Sequence, residues 1–232
     1  MLTIRKSNDR GHADYGWLNT HHTFSFADYY DPNWMGFRTL RVLNEDRVAP
    51  GAGFGMHGHR DMEIVTYVLD GALRHTDSMG NTSVLRRGDL QRMTAGTGVR
   101  HSEMNASATE PVHFVQIWIL PERTGLPPSY QELSLQYDSS HGAFRRVVSP
   151  DARPGELKIH QDAHIWLATL AAGQSAAHQL APGRSAWVQM LRGAATVNSV
   201  TLTAGDGLAV QNKRRLTFDA SMESEIMLLD LA

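Results

Sequence analysis

The 232-residue chain has no cysteine. That excludes disulfide staples, a thiolate nucleophile and zinc sites built on thiolates, and it removes the usual mark of a small secreted scaffold. Charge of one sign is also missing. Lys+Arg number 22 against 24 Asp+Glu, a formal net charge of -2, so nothing in the charge balance argues for nucleic acid or an anionic membrane as partner. No run of about 18 apolar residues occurs, and the opening MLTIRKSNDRGHADYG has no apolar signal core. The expectation is a cytoplasmic protein. What is present, 41% hydrophobic and 20% charged residues, fits a folded chain long enough for one large domain or two small ones.

Stretches of helical period are scarce. Short runs rich in β-branched and aromatic residues recur at 39–44 (TLRVLN), 63–69 (EIVTYVL), 112–120 (VHFVQIWIL), 186–191 (AWVQML), 207–210 (GLAV) and 225–229 (EIMLL). Turn residues such as DSMGN and APG separate them. Many short strands at this spacing predict an all-β sandwich or barrel. One short connecting helix is expected at 128–133, where proline and serine precede good helix formers. A weak repeat divides the chain: Gly51, His57, Leu69-Asp70-Gly71 and Gly88-Asp89 in the first half are echoed by Gly173, His178, Leu191-Arg192-Gly193 and Gly205-Asp206 in the second.

Residues i and i+2 of a strand share a face. In MHGHRDME, His57 and His59 are such a pair; in GTGVRHSEMN, so are His101 and Glu103. If the two strands are neighbours, three imidazoles and a carboxylate converge. That is a nitrogen and oxygen set suited to a divalent first-row metal with positions left open. The histidines at 12, 21, 22, 75, 113, 141, 160 and 164 read instead as ordinary surface or capped residues. In the second half His178 falls where His57 would, but Gln179-Leu180 follows, so no second pair forms.

These motifs carry a family resemblance. Gly51, then His57-x-His59 and Gly71, resembles the first cupin motif, and Gly98-x-x-His101-x-x-x-Asn105 the end of the second. The chain departs from the common cupin pattern where Ile64 takes the place of the usual acidic ligand and Glu63 precedes it. Glu103 supplies the carboxylate instead, and Glu63 reads as a charged strand residue, either paired with Arg60 or set at the barrel rim. That departure resembles the pirin family. So does GWLNTHHTFSFADYYDPNWMGFRTLRVLNED at residues 16–46, the most specific similarity; the likeness is close to about residue 130 and one of layout beyond.

The resemblance implies a bicupin, two tandem jelly-roll-like β-barrels: a metal-binding unit at 1–125, a linker at 126–155 and a degenerate unit without metal at 156–232. A compact interface between the two units would make a monomer adequate, and the resemblance implies one metal, Fe(II) first and Mn, Co, Ni, Cu or Zn as substitutes, held through His57, His59, His101 and Glu103. Bacterial relatives of this kind resemble quercetin 2,3-dioxygenases, which open the central ring of a flavonol with O2 and release carbon monoxide. In that chemistry Glu103 is also the general base for the substrate hydroxyl. Phe54 and Gln116, with Met62 and Met104, are candidates for the wall around a small aromatic substrate. A redox-sensing regulatory protein without catalysis is the alternative function, and a cupin-type isomerase the third. No protein partner is readable.

Overall fold

The computed structural model describes residues 1–135 and 142–232; His141 lies outside the described residues. Apart from a single 3-10 turn at Ser7–Asp9, every regular element described is a strand. No helix is long and apolar enough to cross a membrane.

The strands form two sandwiches, each with one seven-stranded and one four-stranded sheet. In the first, the large sheet runs in the order Ser129–Ser134, Asp89–Thr94, Glu63–Asp70, Val112–Ile119, Leu40–Val48, Leu18–His22 and Gly11–Asp14. Its small sheet runs Gly53–His59, Val99–Asn105, Ala72–Asp77 and Thr82–Arg86. In the second, the large sheet is Leu2–Arg5, Gly207–Val210, Ser185–Arg192, Ser224–Leu231, Ala163–Leu170, Arg145–Ser149 and Leu157–Lys158. The small one is Ser175–Gln179, Arg215–Ala220, Ala194–Val197 and Val200–Thr203. All six expected strands are present; the layout is all-β, as the patterning implied, in the two barrels that the resemblance implied.

Each large sheet is buried on both faces, which explains its near-continuous apolar runs. Leu43, Val65, Val115 and Ile117 of the first sheet pack against Ile165, Trp187, Met227 and Leu229 of the second in one shared core. The alternate residues face the barrel interiors: Val68, Phe114 and Val48 meet Leu73 and Leu85 in the first, and Val188 and Leu228 share a cluster with Val197, Leu216 and Phe218 in the second. The two barrels therefore stand back to back.

Two expectations about connections change. The segment 128–133 is not a helix: Ser129–Ser134 is a strand in antiparallel register with Asp89–Thr94, from Ser129↔Thr94 to Ser134↔Asp89. Two prolines ahead of it favour extended backbone, and an open sheet edge supplies a ladder that outweighs local helix propensity. The stretch expected as a linker thus carries a strand of the first barrel, and, at Arg145–Ser149, one of the second. The N-terminal strand Leu2–Arg5 crosses over to pair with Gly207–Val210 of the second barrel.

Candidate metal centre

Strand alternation places His57 and His59 on one face of Gly53–His59, and the neighbouring antiparallel strand sets His101 directly opposite His57. Gly53 permits this close pairing, because a Cβ there would lie 2.4 Å from the Glu103 carbonyl oxygen and 2.5 Å from Met104 Cα. The Nε2 atom of His101 is 2.9 Å from His59 Nε2 and 3.0 Å from His57 Nε2. His57 Nδ1 is 2.8 Å from the Gly55 carbonyl oxygen. Since a carbonyl only accepts, that nitrogen carries the ring hydrogen and His57 Nε2 presents a bare lone pair.

Burial, and then the neighbouring imidazoles, pull His59 down to about 4 and His101 to about 3, so both rings are neutral at pH 7. The Nε2 atoms of the three rings thus converge on one point. A divalent cation among them answers every lone pair, and neutral imidazole is the form that binds metal. The donor set fits a metal.

Glu103 follows a register shift between His101 and itself. Its carboxylate groups with His75 and His101, their ligand atoms lying within 4.8 Å of one another, a step back from the three-imidazole cluster. Both its oxygens are engaged. Gln91 Nε2 donates to Oε1 at 2.8 Å, with Thr66 Oγ1 at 3.4 Å, and Gln116 Nε2 donates to Oε2 at 2.7 Å. Aromatic donors fix the amides behind them: Trp118 Nε1 donates to Gln116 Oε1 at 3.0 Å, and the Tyr130 hydroxyl lies 2.9 Å from Gln91 Oε1. With each amide oxygen occupied by a donor, each NH2 must face the carboxylate.

The source of this backing is register. Asn44↔Gln116, Gln116↔Thr66 and Thr66↔Gln91 are successive cross-strand partners, one polar row across four strands of the large sheet. Gln116, a candidate for the substrate wall in the sequence, proves to be one member of that row. Asn44, Thr66, Gln91, Trp118 and Tyr130 were missed; each is unremarkable on its own strand.

Phe54 is the cross-strand partner of Glu103 and turns its half-buried ring toward Trp17, edge to face at 5.4 Å. Met62 packs with Ile64, Met93 and Val99. Glu63 is fully buried, but not with Arg60: its Oε2 accepts from Thr94 Oγ1 at 3.1 Å, and Oε1 lies 3.4 Å from His160 Nδ1. Burial pushes its carboxyl up. Most of the other described histidines have ordinary surroundings. His12 stacks on His21, His113 Nε2 is 3.0 Å from Glu45 Oε1, and His164 sits beside Arg184. His75 is the exception. It is fully buried, 3.1 Å from Asp77 Oδ2, and stacked on Tyr130 at 4.5 Å with 14° between the planes. The His75-x-Asp77 spacing was the signal available for it.

Comparison with known proteins agrees with this architecture. The pirin family model matches residues 3–119, and a model described as a quercetinase C-terminal cupin domain matches residues 146–231. Quercetin 2,3-dioxygenase of Escherichia coli K12 is 48% identical over 231 residues, spanning 100% of this chain and 99% of that protein. A pirin-like protein of Caulobacter vibrioides is 41% identical, with both chains covered completely. The crystal structure of the bacterial pirin YhhW from Escherichia coli in complex with nickel(II) superposes with a TM-score of 0.94 at 47% identity, covering 100% of this chain and 99% of that one. The fold is a bicupin, and the chain belongs to the pirin family.

Proposed function

We propose that this protein is a metal-dependent dioxygenase that opens the ring of a flavonol such as quercetin with O2. The observation that carries the reading is the convergence of the His57, His59 and His101 Nε2 atoms beside a carboxylate held at both oxygens. The activity named for the Escherichia coli relative supports it. In this reading His57, His59 and His101 hold one divalent transition metal and Glu103 is its fourth, exchangeable ligand. Fe(II) is the proposed ion; Mn, Co, Ni, Cu and Zn suit the same donors.

A bound divalent cation supplies acidity to a coordinated hydroxyl, as it does to bound water. Glu103 takes the proton of the flavonol 3-hydroxyl. Two amide N–H donors keep it aimed until the substrate arrives, and the oxygen that receives the proton exchanges one of those contacts for it. Trp118 stands edge-on to His59 at 4.9 Å and offers an apolar wall to a planar ring, with Phe54 proposed on the Glu103 side. The first barrel performs the chemistry, and the second supports it from behind.

The test is flavonol-dependent O2 uptake by purified protein loaded in turn with Fe(II) and Ni(II). O2 uptake that tracks quercetin loss and disappears on chelation is the expected result. Absence of uptake above the metal-free control with either metal overturns the proposal in favour of a regulatory role.

A further inference from the structure

His75 and Asp77 stand on the strand Ala72–Asp77, beside the metal centre but outside its proposed ligand set. In antiparallel register Asp77 faces His101 and His75 faces Glu103. Both are buried, and a ring nitrogen of His75, one of His101 and an oxygen of Glu103 lie within 4.8 Å of one another. Polar atoms buried this deeply are paired almost without exception in native proteins, so each nitrogen of these rings needs a partner.

Asp77 sets the tautomer of His75. Its Oδ1 accepts from the backbone amides of Met79 at 2.9 Å and Asn81 at 3.1 Å, and its Oδ2 from Asn81 Nδ2 at 2.9 Å. Burial pushes the carboxyl up, but these donors and His75 outweigh it and leave Asp77 below its ordinary value. An ionised carboxylate only accepts, so the hydrogen of the His75 ring sits on Nε2, 3.1 Å from Asp77 Oδ2. In the neutral ring Nδ1 is then a bare lone pair, and it is buried without a partner among the described residues. The Tyr130 ring stacked on His75 keeps the imidazole from turning over.

His101 presents the converse. Its Nε2 meets the Nε2 atoms of His57 and His59. A ring that ligates through Nε2 carries its hydrogen on Nδ1, and this nitrogen too is buried without a partner among the described residues. The carboxylates beside it are already engaged: Asp77 as above, Glu103 Oε1 by Gln91 and Thr66, and Glu103 Oε2 by Gln116. One N–H without an acceptor and one lone pair without a donor remain in the cluster, on rings whose centres are 5.4 Å apart. Two imidazoles joined end to end by an N–H···N bond of about 3 Å have their centres about 5 Å apart. Histidines that hold a metal almost always donate the second N–H to a fixed acceptor, as His57 does to the Gly55 carbonyl.

We propose that His75 is a positioning residue of the metal centre: anchored by Asp77, it accepts the Nδ1–H of His101 and so fixes which nitrogen of that ring faces the metal. The inference rests on His101 being a metal ligand and is independent of the reaction that the metal supports.

The test uses the full chain, labelled with ¹⁵N at histidine and loaded with Zn(II), one of the ions that suit the donors. Long-range ¹H–¹⁵N spectra at neutral pH are expected to show His101 bound through Nε2, with its Nδ1–H protected from exchange and coupled through the hydrogen bond to Nδ1 of His75. Zinc affinity, read by competition with a chromophoric chelator, is expected to fall about 10–100-fold in His75→Phe, which keeps a ring against Tyr130 but removes the acceptor. His75→Asn, whose amide oxygen can stand where Nδ1 stood, is expected to bind zinc more tightly than His75→Phe. His101 bound through Nε2 with no coupling to His75 overturns this inference and leaves the ligand reading intact; His101 free of zinc overturns both. Wild-type affinity in folded His75→Phe, or His75→Asn no tighter than His75→Phe, also overturns it, and if His75→Phe does not fold the wild-type spectrum decides.

Discussion

The two barrels share one strand order but differ at the same positions. In the first, the row facing the interior is Gln91, Thr66, Gln116 and Asn44; in the second it is Leu208, Val188, Leu228 and Trp166. On the small sheets His57 faces His101, whereas His178 faces Leu216. The loss is therefore double, removing both the imidazole partner and the polar backing of the carboxylate. A buried polar network is worth having only when all its members are satisfied, and a half-satisfied one costs more than an apolar core. A barrel that gave up its ligands had every reason to replace the row behind them with leucine and valine, each contributing about 1.5–3 kcal/mol when fully buried. The polar row marks the barrel in which a carboxylate must be held.

The largest expected effect breaks the comparison directly. His57→Ala combined with His59→Ala should take metal from about one ion per chain to almost none by elemental analysis, because a lone imidazole holds a divalent ion weakly. His178→Ala should leave metal content where it was. Full occupancy in the double variant, or loss of metal from folded His178→Ala protein, would show that the asymmetry between the barrels has been misjudged.

Next in size is the carboxylate. Glu103→Gln preserves shape and offers a carbonyl oxygen but cannot take a proton, so at matched metal occupancy O2 uptake with quercetin should fall by about 10²–10⁴. Glu63→Gln, altering a carboxyl buried against Thr94 and His160, should leave turnover within about threefold of wild type. The reverse pattern would return the acid to the position common in other cupins.

How much of this was legible in the sequence depended on whether a signal lay within one strand. The pairs His57-x-His59 and His101-x-Glu103 were readable because a period of two acts locally. The row behind Glu103 was not, since each strand contributes only one residue to it, and only a register spanning four strands brings them into line. Gln116 stood among the candidates for the substrate wall, yet its neighbours Thr66 and Gln91 carried no signal of their own. Tyr130 was hidden more deeply, in PPSYQEL, where local propensity suggested a helix and a vacant sheet edge 35 to 45 residues earlier in the chain decided for a strand. His75 was passed over because its partner Asp77 sits in a turn signal, DSMGN, and was read as such.

Two smaller effects sharpen the comparison by testing the donors that hold the polar row in place. Trp118→Phe removes the N–H that engages Gln116 Oε1, leaving that amide free to turn its NH2 away from Glu103. The cost of a buried acceptor left unpaired is about 1–3 kcal/mol, and a loss of about tenfold in turnover at matched metal occupancy is expected. An unchanged rate would mean that Gln116 keeps its orientation without the indole.

Tyr130→Phe should matter less, for a reason visible in its contacts. The hydroxyl has one hydrogen and two acceptors, Gln91 Oε1 at 2.9 Å and Glu132 Oε1 at 2.7 Å, while the Ser83 hydroxyl is 2.9 Å from the same oxygen. Gln91 therefore receives that hydrogen for only part of the time, and deleting it removes less than a full bond; Thr66 Oγ1, 3.2 Å from Gln91 Nε2, still helps to hold the amide. The phenyl ring keeps the stack on His75, so melting temperature should hardly move. A fall in turnover of about threefold or less is expected, since a typical net hydrogen bond is worth about 0.5–1.5 kcal/mol and only part of one is lost. The two aromatic variants are best measured side by side, at equal metal content and with the same flavonol. If Tyr130→Phe costs more than Trp118→Phe, the arm through Gln91 is the one that aims Glu103, and the strand Ser129–Ser134 is a working part of the metal barrel as well as the cover of its edge.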